Sequence, residues 1–172
     1  MSDKSRQMTQ EEAAEFAEQV FNKAREGDAA MLAALLSKGL PVNLRNHKGD
    51  TLLMLASYHG HVDAVRVLLE HKADPQIRND NGQSPIAGAA FKGDLPVVKA
   101  LVEGGAEVEG SSFDGRTALM MAAMFNRTEI VNYLISQGAD PKAKDANGVS
   151  ALDAAKTMGA ADTTAQLEKL LG

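Results

Sequence analysis

Residues 115–140 read GRTALMMAAMFNRTEIVNYLISQGAD, and closely similar stretches stand 33 and 66 residues earlier. Residues 82–107 read GQSPIAGAAFKGDLPVVKALVEGGAE, and residues 49–74 read GDTLLMLASYHGHVDAVRVLLEHKAD. The register runs beyond these three. Gly49, Gly82, Gly115 and Gly148 are 33 residues apart. A hydroxyl follows each glycine by two positions (Thr51, Ser84, Thr117, Ser150), and an alanine follows each hydroxyl by five (Ala56, Ala89, Ala122, Ala155). Leu35, Leu68, Leu101, Leu134 and Leu167 keep the period, as do Gly27, Gly60, Gly93 and Gly159, with Asn126 in the one gap. Five columns in one register mark an internal repeat.

These units resemble the ankyrin repeat, a motif of about 33 residues with a T-P-L-H-x-A turn. The resemblance covers residues 13 to 172 and points to the small free-standing ankyrin repeat proteins found in bacteria. It implies an all-α repeat solenoid of about five units with short β-hairpin-like turns. The residues support that fold in their own right. Each hairpin glycine can take the positive φ of a tight turn. Each Thr or Ser can cap a short helix. The alanine columns allow antiparallel helices to approach closely. Val65-Leu68-Leu69, Val98-Leu101-Val102 and Val131-Leu134-Ile135 each line one helical face. Gly39, Gly105 and Gly138 suit a left-handed helix stop, whereas Lys72 stands in that column and predicts a less sharply closed helix end.

The terminal units differ as the ends of a solenoid require. The columns Met54-Ala87-Met120, Val65-Val98-Val131 and Leu69-Val102-Ile135 become Asp153, Thr164 and Glu168 in the last unit. In the first unit an amphipathic helix replaces hairpin and turn, with Phe16, Val20, Phe21 and Ala24 inward and Glu11, Glu12, Glu15 and Glu18 outward. The expected organisation is a disordered segment over residues 1–8 and one domain over 9–172. The domain divides into an N-terminal cap (9–45), three full repeats (46–78, 79–111, 112–144) and a C-terminal cap (145–172).

Composition narrows the function. The chain has 172 residues, no cysteine and no tryptophan, with 18 Lys and Arg against 23 Asp and Glu for a net charge of −5. Disulfides and thiolate metal sites are excluded. The charge and the singly scattered basic residues argue against a nucleic-acid partner or a basic membrane-surface protein. No stretch reaches the roughly 18 apolar residues of a membrane span. The N-terminus has no secretory h-region, so a cytoplasmic protein is expected.

Catalytic motifs are missing: there is no G-x-G-x-x-G, P-loop or G-x-S-x-G, and an enzyme is not expected. The sequence His59-Gly60-His61-Val62-Asp63 resembles part of a metallo-β-lactamase zinc site, but Ala64 stands where the next ligand would be. The repeat register accounts for the string: Gly60-His61 is an inter-helix turn, and Asp63 lies in the first turn of a helix. Of Met54, Met120, Met121 and Met124, three fall on buried or semi-buried helix columns, which favours core packing. No cofactor is expected. The alternative is a metal- or haem-handling accessory protein built on His59, His61 and the methionines, for example a companion of a catalase in oxidative-stress protection.

The histidine of the family's turn is replaced by Met54, Ala87, Met120 and Asp153, its proline survives only as Pro85, and its repeat-end asparagine only as Asn43. The resemblance implies binding of a partner protein through hairpin tips and the exposed face of the first helices. The tips present Lys48, Asp50, Asp80, Phe113 and Arg116. The helices present Tyr58-His59, Phe91-Lys92 and Met124-Phe125. Four of the seven aromatic residues thus fall on recognition positions, where aromatic side chains are enriched in binding hot spots. Phe113 is expected to have little at the tip to contact. A monomer is expected, bound to an unidentified partner protein.

Overall fold

The computed structural model describes residues 7–172, and residues 1–6 of the segment 1–8 predicted as disordered lie outside them. Among the described residues ten helices follow one another in pairs: α1 (Gln10–Glu26) with α2 (Ala29–Ser37), α3 (Leu52–Tyr58) with α4 (Val62–Glu70), α5 (Pro85–Lys92) with α6 (Leu95–Glu103), α7 (Ala118–Met124) with α8 (Thr128–Ser136), and α9 (Ala151–Thr157) with α10 (Ala161–Leu171). The first members, α1, α3, α5, α7 and α9, form an inner row, and the second members an outer row. The fold is an all-α solenoid, and among the described residues the only β-pairing is three isolated bridges, Arg45 with Thr51, Ser111 with Thr117, and Lys144 with Ser150.

The repeat columns do what their chemistry suggests. Thr51, Ser84, Thr117 and Ser150 each accept a hydrogen bond from the backbone N–H three residues on. Each bond satisfies a donor that the first helical turn leaves unpaired. In the last unit Asp153 completes a capping box by accepting from the Ser150 N–H at 3.2 Å. Ala56, Ala89, Ala122 and Ala155 are wholly buried between the rows, and Leu68, Leu101, Leu134 and Leu167 fill the interior of the outer row. Asp153 and Glu168 are exposed and Thr164 half-buried, so the last unit has a polar outer face.

Successive units are clasped at the inter-helix turns. The His61 ring fills the space a side chain at Gly27 would need, and its Nε2–H donates to the Arg25 carbonyl at 2.7 Å. The Arg127 guanidinium covers Gly93 in the same way and donates to the Phe91 carbonyl at 3.2 Å. A second set of bonds joins the repeat ends. Asn43, Gln76 and Glu109 each accept from the backbone N–H 31 residues on, at Asp74, Glu107 and Asp140. Gln and Glu keep the acceptor oxygen of the lost asparagine, so the link survives the substitution.

Two expectations are corrected. Phe16 is 39% exposed. Aligning Gly27 with Gly60 pairs only the last turns of the 17-residue α1 with the seven residues of α3, and Phe16 precedes that paired stretch. Val20, Phe21 and Ala24, which lie within it, are buried. Lys72 does not loosen its helix end. It adopts a positive φ of 70°, as the glycines of its column do at 96–100°, and its N–H and that of Ala73 donate to Leu69 and Leu68 at 3.0 Å. A side chain at positive φ costs roughly 1–2 kcal/mol. Lys72→Gly should therefore raise the urea midpoint by an amount equivalent to about 1 kcal/mol, and an unchanged midpoint would contradict this strain.

Candidate functional site

The concave side of the inner row carries a cavity of about 700 Å³, within the range typical of ligand sites (about 300–1,000 Å³). It opens between repeats 46–78, 79–111 and 112–144. Its floor is the groove-facing surface of α3, α5 and α7, from Met54, Leu55, Gly88 and Met121. Its sides are Tyr58 and Phe91 at the helix ends, with Lys48, Asp50, Phe113 and Arg116 on the hairpin tips. Each tip is shaped locally: Gly49, Gly82, Gly115 and Gly148, all at φ between 76° and 80°, donate to the carbonyl three residues back at 2.8–3.0 Å. A short polar residue opens each tip (Asn46, Asn79, Ser112, Asp145), and its side-chain oxygen accepts from backbone N–H groups within the turn. These residues were not singled out from the sequence, although their place three before each glycine repeats as faithfully as the glycine itself.

The eleven predicted site residues divide accordingly. Tyr58, Phe91, Phe113, Lys48, Asp50 and Arg116 line the cavity, while His59, Lys92, Met124, Phe125 and Asp80 are not part of its wall. Lys92 approaches from the rim, its Nζ 4.5 Å from the centre of the Tyr58 ring, a cation–π contact. The aromatic stripe is not continuous. Phe91 meets Phe125 edge-to-face with ring centres 4.7 Å apart, while Tyr58 contacts His59 at 5.5 Å. Phe91 therefore also joins repeat 79–111 to repeat 112–144. Phe113 is 70% exposed, yet it has a packing partner. Its ring occupies the space over Gly82, with the Arg78 guanidinium 5.6 Å from the ring centre. The absence of a Cβ at Gly82 lets one hairpin tip lie on the next.

The carboxylates around the cavity are already engaged. Asp50 accepts from the Asn79 amide at 2.9 Å. Asp114 accepts from the Ser112 hydroxyl and pairs with Arg116 at 3.4 Å. The Ser112 hydrogen bond, followed by the Arg116 backbone and charge, holds the Asp114 carboxyl below the usual range. Asp80 faces Arg45 at 3.8 Å. Burial, then the nearby His61, Lys92 and Arg25 charges, lower the His59 pKa and favour the neutral ring. Among the described residues no three His, Cys, Asp or Glu side chains come close enough to share a metal ion. His61 is turned toward Gly27 and the Arg25 carbonyl, Met120 is buried in the core, and Met54 belongs to the cavity floor.

A family model for ankyrin repeats in three copies matches residues 20–112 and 86–167. The chain belongs to the ankyrin repeat family. It is 57% identical over 67 residues to an ankyrin repeat protein of Pseudomonas aeruginosa, a segment covering 39% of each chain. It is 47% identical over 55 residues to the ankyrin repeat domain-containing protein 29 of Homo sapiens, covering 31% of this chain and 18% of that protein. It is 44% identical over 48 residues to the human ankyrin repeat domain-containing protein 63, covering 28% and 13%. The matched segments thus span well under half of each relative. Ankyrin repeats are in general protein–protein interaction modules of a non-enzymatic fold. Among the described residues no helix is long and apolar enough to cross a membrane.

Proposed function

We propose that this ankyrin repeat chain is a non-enzymatic binding protein that holds a partner protein in its concave groove and on its hairpin tips, as an adaptor, inhibitor or stabilising companion. The observation that carries this reading is the 700 Å³ cavity. Its walls combine two half-exposed rings with charged tip residues on one rigid scaffold, the mixture of aromatic anchor and polar rim found at binding hot spots. The net charge of −5 supports a protein partner over a nucleic acid. The chain acts as a monomer in the cytoplasm.

The test is capture from the lysate of the organism that encodes the chain, comparing wild type with the Tyr58→Ala/Phe91→Ala double variant by mass spectrometry. A protein held by wild type should be lost from the variant, with a drop of at least about tenfold, since a hot-spot truncation costs about 2 kcal/mol or more. Circular dichroism checks that the variant keeps its helices, because Phe91 also meets Phe125. Equal recovery by both chains moves the interface out of the groove and ends this reading.

A further inference from the structure

One residue of the cavity floor breaks both the column it belongs to and the rules of its own helix. The column reads Leu55, Gly88, Met121, Ala154, and only at Gly88 is there no side chain. Gly88 lies inside α5, where glycine is disfavoured against alanine because its backbone freedom is lost. It is not among the glycines with positive φ. A Cβ there would meet a single neighbour, the Tyr58 ring, at an ordinary contact distance of 3.7 Å. Neither backbone geometry nor packing therefore asks for glycine. What it leaves is room at the cavity floor between Tyr58 and Phe91.

The charge around that room is unbalanced. Asp80 and Asp114 are paired with Arg45 and Arg116, whereas Asp50 accepts from the uncharged Asn79 amide and keeps its charge. Among the described residues Lys48 and Lys92 form no ion pair, and Lys92 stands over the Tyr58 ring. In a chain with net charge −5, these two ammonium groups set against the Asp50 carboxylate leave the mouth of the groove positive on balance.

We infer that Gly88 is the specificity-determining position of the groove, a socket for one large apolar side chain of a partner polypeptide segment whose flanking residues are acidic. The inference rests on the protein-binding reading above and names the chemistry of its partner. The apolar side chain enters between Tyr58 and Phe91 above Gly88. The flanking carboxylates meet the Lys48 and Lys92 ammonium groups.

Three fluorescein-labelled nine-residue peptides test it by fluorescence anisotropy: Gly-Asp-Glu-Asp-Phe-Glu-Asp-Glu-Gly, the same peptide with Ala at the centre, and the same peptide with Lys at every acidic position. Wild type should bind the first, with the other two weaker by roughly tenfold or more. Gly88→Leu, which fills the socket while favouring the helix, should lose the Phe-centred peptide by roughly tenfold or more. Gly88→Ala should unfold at a higher temperature than wild type and bind the peptide more weakly, which separates blocking from misfolding. Undiminished binding by Gly88→Leu, equal binding of the basic peptide, or no binding of the acidic peptide up to about 1 mM would each overturn the inference. The captured partner distinguishes the two failures. If Gly88→Leu still retains it while Tyr58→Ala/Phe91→Ala does not, the socket is wrong and the groove reading stands. If the double variant retains it, the groove reading fails.

Discussion

Removal of residues 160–172 is expected to leave a chain that aggregates and unfolds at least about 10 °C below the full-length protein. The deletion takes away α10, which covers α7, α8 and α9. Leu167 is wholly buried, and its burial alone is worth roughly 1.5–3 kcal/mol. A polar seam goes with it. Asn126, at φ 62°, accepts through Oδ1 from the N–H groups of Asp162 and Thr163 at 3.0 Å. The buried Thr163 hydroxyl donates to the Ala123 carbonyl at 2.7 Å, and the Gln166 amide donates to Thr128 and Asn132 at 3.0 and 2.7 Å. Each such bond contributes about 1 kcal/mol net, and a chain of this size loses about 2–4 °C per kcal/mol. Val131 and Leu134, buried in the intact protein, would face solvent. Static light scattering and thermal melts check this. A truncated chain that stays soluble with an unchanged midpoint would contradict the role given to the last unit.

Leu101→Ala should be the most damaging single core truncation in effect on cooperativity. Leu101 is wholly buried in α6, between α4 and α8, and a Leu→Ala change at such a site costs about 2–5 kcal/mol. Its repeat stands in the middle of the array, and its first helix, α5, carries Gly88, a glycine inside a helix, which costs about 1 kcal/mol against alanine. Because each unit of a solenoid contacts only its neighbours, weakening the middle uncouples the ends. Urea unfolding of Leu101→Ala, followed by circular dichroism, should show two steps where wild type shows one. A single step with a midpoint shift equivalent to less than about 1 kcal/mol would mean that the central repeat is not the weak link.

The architecture was legible because a period of 33 residues is a property of the chain itself. Glycine, hydroxyl and alanine each have one cheap place in a turn, a cap and a close helix contact. What the register hides is the contact between one repeat and the next. That the His61 ring covers Gly27, or the Phe113 ring covers Gly82, depends on the offset between stacked units, and no column records it. The same gap left Phe16 in the predicted core, since its helical periodicity is sound and only the lack of a facing partner exposes it. At Lys72 the intrinsic preference against positive φ is overridden by the hydrogen bonds that close the helix end, and these do not show in the residue type. Six of the eleven site residues line the cavity, since groove-facing positions follow from register alone. Gly88 and Met121 are not legible as floor residues, because neither carries the aromatic ring or charge that marks a recognition position in the sequence.

The most direct test of groove binding is site-specific photo-crosslinking. A benzophenone-bearing phenylalanine analogue replaces Phe91 on the cavity wall in one preparation and the exposed Arg66 of α4 on the outer row in another. Each is irradiated in the lysate that supplies the partner. Crosslinking to one protein from position 91, and not from position 66, is the result predicted. Crosslinking from position 66 with none from position 91 would place the interface on the outer face and contradict the account.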